Sequence, residues 1–274
     1  MSTTLLSLAA AALSALLNGV GTVAQALAAR RAGGSGIVRQ RAYQVGWFLD
    51  LIGWGLSVVA LRHLPLIVVQ PLLATSLAVA VLLMAPVLGI RTSRRATAAV
   101  VVVVLSVAVL ASSAAPARAT APPGWLAPAL GLGLVLVGAG YAASRRVRHA
   151  STTAALAGLS WTVSALAARG MHGTGDWASL PLEPLAWVTV GGALVGALAF
   201  ARSVEVAGAD GVATVTAWLW VVQIAVPSVL GATVLGDPLR PGWTVPAVLA
   251  LVAACGASIA LSASTTRRRA RVVS

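Results

Sequence analysis

Asp50 is the only carboxylate deep inside an apolar stretch of this chain, in YQVGWFLDLIGWGLSVVAL at 43–61. A charge at mid-bilayer depth costs at least ~2.5 kcal/mol. A residue kept there should face a bundle interior or a wet cavity. At helical spacing Tyr43, Trp47, Asp50, Trp54 and Ser57 fall on one face, while Leu49, Leu51, Ile52 and Leu56 cover the others. A carboxyl so placed can coordinate a cation or carry a proton. The plainer alternative is a carboxyl hydrogen-bonded to a neighbouring helix, serving packing alone.

Other polar residues in apolar runs can share that site. Asn18 and Gln25 are separated by Gly21 and Thr22 on the same side of one helix; they can face a cavity, or bond across helices while Gly21 permits close approach. In Gln70-Pro71, the proline removes a backbone bond and frees a carbonyl one turn earlier. Broken helices of this kind line transporter sites; a tolerated kink is the alternative. Pro227 is a candidate counterpart, on a face with Thr216, Trp220 and Gln223 and near Trp218. Trp161 and Ser164 would complete a wall. Tryptophans around a carboxylate suit an organic cation, although packing is the commoner fate of membrane tryptophan. The candidate binding set is therefore Asp50, Asn18, Gln25, Trp54, Ser57, Gln70, Trp161, Trp220 and Gln223, with helix breaks at Pro71 and Pro227. Asp50 is the one candidate metal ligand.

Several chemistries find no footing. His63, His149 and His172 fall in loops without ligand spacing. No glycine-rich phosphate loop, nucleophile elbow or carboxylate pair appears. We expect no enzyme, no cofactor and no ATP drive. Glu205 and Asp210 follow an apolar run, where they can pair with Arg202, gate a cavity, or remain solvated.

The elements that position these residues are apolar. Of 274 residues, 59% are hydrophobic and 9% charged, against roughly 25% charged in soluble domains. The net charge of +13 comes from arginines clustered between apolar spans, which favours a membrane over nucleic acid. Cys255 has no partner for an internal disulfide and reads as a packing residue. The N-terminal run lacks an early positive charge and reads as a retained helix, not a cleaved signal.

A span needs about 20 apolar residues. On that measure the sequence predicts an all-α bundle of nine spans at 3–29, 43–61, 66–89, 96–114, 125–143, 151–169, 185–202, 211–235 and 243–263. Fifteen arginines fall on one side, at 30, 31, 39, 41, 91, 94, 95, 145, 146, 148, 202, 267, 268, 269 and 271. Arg62, Arg118, Arg169 and Arg240 fall on the other, with Asp176, Glu183 and Asp237. By the positive-inside rule the N-terminus is outside and the C-terminus cytoplasmic. Trp125, Trp187 and Trp243 open spans from the outside, where indole favours the interface. The cytoplasmic arginines would meet anionic lipids.

ALAAR occurs at 26–30 and again at 165–169, with its arginine on opposite sides by this assignment. That predicts an inverted repeat within one transmembrane domain spanning 1–274. Its halves lie at 1–114 and 125–263, followed by a basic tail at 264–274. Low-complexity coincidence is the alternative reading.

The stretch ALRHLPLIVVQPLLATS at 60–76 resembles a motif of the NIPA-like magnesium transporters in the drug/metabolite transporter superfamily, at Pro65, Val69, Pro71, Leu72, Ala74 and Ser76. NGVGTVAQALAARR at 18–31 resembles that family's first helix. The resemblance implies a secondary transporter using alternating access. The family's second-helix Glu falls on Trp54 and its Asn on Ser57, with Asp50 one turn earlier. Mg²⁺, which keeps several waters, and a small organic cation or metabolite both stay open. So do a homodimer and a non-transporting scaffold or accessory to a lipid or polysaccharide assembly.

Overall fold

The computed structural model describes residues 3–32, 39–88, 94–115, 123–146, 149–171, 181–235 and 239–273. They form eight helices: α1 (Thr3–Ala32), α2 (Arg41–Leu61), α3 (Leu66–Leu88), α4 (Arg94–Ser113), α5 (Leu126–Ser144), α6 (Ala150–Gly170), α7 (Pro184–Val234) and α8 (Thr244–Val273). Four stretches are long and apolar enough to cross a membrane: Thr3–Gln25, Arg41–Leu61, Leu126–Ser144 and Pro184–Val206. Shorter apolar stretches occupy Leu66–Ala80, Thr97–Leu110, Trp218–Val234 and Thr244–Ala260. The outward faces are apolar too, with Leu132, Val135 and Leu136 exposed on α5 and Val245, Leu249 and Val252 on α8. Helices apolar on every side suit lipid or a large core.

The spans expected at 185–202 and 211–235 lie in one helical run of 51 residues. A straight helix of that length would extend about 77 Å. Its contacts with α6 exclude that shape. Gly196 abuts the Trp161 ring, while Gly158 abuts Val222 and the Leu219 carbonyl. On a straight helix residues 196 and 222 would be about 39 Å apart, yet 158 and 161 are separated by only ~5 Å. The run therefore doubles back between 206 and 215, giving a first arm (184–206) and a second arm (215–234) that both pack on α6.

α1 and α2 are antiparallel: Gly46 sits on Gly21 and Gln25, and Ser14 Oγ donates to the Gly53 carbonyl at 2.6 Å. α6 and the first arm are antiparallel in the same way. Ser160 Oγ donates to Gly192 O at 2.8 Å and Ser164 Oγ to Thr189 O at 2.7 Å, with Gly170 against Leu185. The largest apolar core joins Ala60, Leu61, Leu64 and Leu66 to Leu166, Ala167, Ala168 and Met171. The end of α6 thus lies beside the α2–α3 turn, whereas the end of α1 lies beside the start of α2. α1 and α6 run in opposite directions.

Charge sorts by end. The starts of α2 and α4 and the end of α5 carry exposed Arg39, Arg41, Arg94, Arg95, Arg145 and Arg146, and Arg202 precedes the reversal in α7. The opposite end carries exposed Arg240 and buried Arg62 and Arg169. There the α4 and α8 ends meet, as Arg240 N donates to Ser113 O at 2.9 Å. Arg91, Arg118, Arg148, His172, Asp176 and Asp237 lie outside the described residues, as do the side chains of Arg30, Arg31, Asp210, Thr216 and the tail arginines.

Candidate functional site

Small residues bring α1 and α2 together. The buried stripe of α2 runs through Gly46, Gly53 and Ser57, with half-buried Asp50 among them. A Cβ at Gly46 would stand 2.7 Å from the Gly21 carbonyl oxygen, so glycine alone fits. In lipid, where burial supplies little drive between helices, such close backbone contact holds a pair together.

That approach fixes Asp50. Gln25 Nε2 donates to Asp50 Oδ2 at 2.5 Å. The other oxygen, Oδ1, lies over Gly21, 2.5 Å from where a Cβ would stand. The carboxylate is thus turned onto α1. One turn along, Asn18 Oδ1 packs over Gly53, buried and without a hydrogen-bond partner.

The aromatic face expected on α2 needs correction. Trp47 is 57% exposed and points away from α1. Tyr43 and Trp54 are half-buried, while Ser57 is buried and donates to Trp54 O at 2.7 Å. With Gly46 and Gly53 pressed against α1, there is no room on that side for an indole at 47.

α6 and the first arm repeat this arrangement with other side chains. A Cβ at Gly192 would meet Ser160 O at 2.9 Å and Ser164 at 3.0 Å, as one at Gly46 would meet Gly21 O and Gln25. Gly19 rests against Val79 and Ser76 O, and Gly158 against Val222 and Leu219 O. Gly19 and Gly158, like Gly21 and Ser160 or Gln25 and Ser164, are 139 positions apart, the same offset as the two ALAAR copies. In this register Gly196 occupies the place of Asp50. The Trp161 ring fills the space beside it, its Nε1 donating to Ala193 O at 3.3 Å and its plane tilted 44° to Phe200 at 6.1 Å.

On α3, Gln70 and Pro71 are both buried, and Gln70 Oε1 has no hydrogen-bond partner. Pro71 has no N–H for the Ile67 carbonyl. On the second arm, Gln223 Oε1 and buried Ser228 Oγ are likewise without partners. Trp220 is half-buried and Trp218 is 49% exposed. Pro227 does not match Pro71: it follows Val222 by five positions, whereas Pro71 precedes Val79 by eight.

The candidates fall into groups. Asp50, Gln25, Asn18 and Ser57 belong to α1–α2; Trp161 and Ser164 belong to α6 and the first arm; Gln70 sits on α3, and Trp220 and Gln223 on the second arm of α7, the helix that packs against α3. Among the described residues α1 closely approaches neither α6 nor α7. No three His, Cys, Asp or Glu residues among those described come together as metal ligands. A single carboxylate with neutral amides does not match the six-oxygen shell of dehydrated Mg²⁺. Glu205 is 2.8 Å from Arg202, an exposed pair of little energetic weight. His63, in the α2–α3 turn, is held below its ordinary 6.5 by burial and by the guanidiniums of Arg62 and Arg169.

Sequence reading named Gly21 as a point of close approach but missed Ser14, Gly46 and Gly53. The signal was present: Gly46, Asp50, Gly53 and Ser57 have the same spacing as Gly192, Gly196, Ala199 and Ser203. Comparison with protein-family models, with curated proteins and with solved structures finds no match to this chain.

Proposed function

We propose that this protein is a multi-pass cell-membrane secondary transporter that moves a small cation or metabolite by alternating access. The observation that carries the reading is the recurrence of the α1–α2 contact in α6 and the first arm, with α1 and α6 running in opposite directions. We take the two as copies of one inverted unit, the architecture on which alternating access is commonly built. Counting the arms of α7 separately gives nine spans. The arginine-rich end is cytoplasmic by the positive-inside rule, which puts the N-terminus outside and lets Arg41, Arg94 and Arg145 meet anionic lipid. The resemblance at 18–31 and 60–76 supports a drug/metabolite-type carrier of the NIPA-like kind. Asp50 is the solute or proton site, reached when Gln25 releases it. Among the described residues no group of three His, Cys, Asp or Glu forms around it, which favours a hydrated or organic cation over a stripped metal ion.

A second reading has its own support. The Asp50–Gln25 bond and the fit of Asp50 over Gly21 also describe a structural pin in a non-transporting scaffold. Uptake of a panel of inorganic and organic cations into proteoliposomes separates the two. Transport by the parent protein that falls at least about tenfold in Asp50→Asn, a loss of ~1.4 kcal/mol, supports the carrier. Uptake undiminished by the substitution removes Asp50 from the mechanism.

A further inference from the structure

The arginine-poor end of the bundle is packed in an unusual way. Turns and helix ends normally lie at the surface. Here every residue from 60 to 71 is buried except His63, and so is every residue from 162 to 171. Leu61, Leu64 and Leu66 of the first half share one core with Leu166, Met171, Leu185 and Val188 of the second. Arg62 and Arg169, one from each half, are 6% and 7% exposed, and both act on His63. At the other end Gln44, Val45, Ser151 and Thr152 are exposed.

We propose that the seam between the α2–α3 turn and the end of α6 is a gate, closed in this structure, which parts when the two halves move. The apolar core shared by Leu64 and Leu166 holds it shut. Closure at this end leaves the Asp50 level to communicate with the arginine-rich end. The inference rests on the transporter reading and adds to it the place where one access route is shut.

Thiol labelling tests the gate without a known solute. In a Cys255→Ala background, Leu64→Cys and Ala167→Cys are placed in the seam, and Ala157→Cys in the cluster internal to the second half that includes Ala199 and Leu219. Each protein, confirmed monodisperse in nanodiscs, is reacted with a charged maleimide. A gate that opens locally labels at 64 or 167 on the order of tenfold faster than at 157, because local opening outpaces global unfolding. Equal or slower labelling at both seam positions overturns the gate. Uptake of the cation panel is measured on the same proteins. Labelling without uptake breaks the transport reading and leaves the gate, whereas uptake without labelling does the reverse.

Discussion

In the α1–α2 pair a glycine-lined contact holds a carboxylate, Asp50, against an amide, Gln25. In the pair formed by α6 and the first arm of α7, the same contact holds Gly196, Ser164 and the ring of Trp161. The backbone approach is shared and the polar content is not. Packing of this kind depends on the absence of side-chain bulk at Gly46 and Gly192, so the neighbouring positions are free to differ. One half is left with the only charge in the middle of a span, and the other is sealed by an indole. On the carrier proposal, the shared backbone contact would give two similar moving parts and the one-sided chemistry a single binding group.

Bulk at the shared contact should have the largest effect. Gly46→Val and Gly192→Val each drive a side chain into a backbone carbonyl, and each should cost about 3 kcal/mol or more. Thermal unfolding in detergent should show matched losses; tolerance at either position would break the equivalence. Grafting comes next. Gly196→Asp alone forces a carboxylate against Trp161 and should cost ~2–4 kcal/mol. Combined with Trp161→Thr and Ser164→Gln, which copy Thr22 and Gln25, it should recover about half of that loss if the register is right. A triple variant no more stable than the single one would argue against the register. The smallest effect concerns the serines that donate across each pair. Ser14→Ala and Ser160→Ala should each cost roughly 0.6 kcal/mol, measured by the same unfolding, and a large difference between them would show that the pairs are held by different forces.

Much of this was legible in the sequence, but unevenly. Asp50 stands out because charge is costly in an apolar run, and Gly19 and Gly158 lie at the same offset as the ALAAR copies. The face of α2 was misread because aromatic residues were weighed above glycine. Contact between helices in lipid selects small residues, so Trp47 went outward and Gly46 inward. The sequence separates spans at 185–202 and 211–235, with Glu205 and Asp210 between them, and the contacts of Gly158 and Gly196 require the two arms of α7 to lie side by side on α6. Trp161 and Ser164 were expected to complete a wall of the Asp50 site; they lie instead between α6 and the first arm, where the Trp161 N–H is taken by the Ala193 carbonyl, a partner that spacing alone could not supply.

The most direct test of the account is a thermal-shift titration of purified protein with the cation panel, run in parallel on the parent chain and on Asp50→Asn. A ligand bound to the folded state at 100 times its dissociation constant should add about 2.7 kcal/mol. The account predicts at least one solute that raises the melting temperature of the parent and fails to raise that of Asp50→Asn. Equal shifts in both proteins, or no shift with any solute, would contradict it.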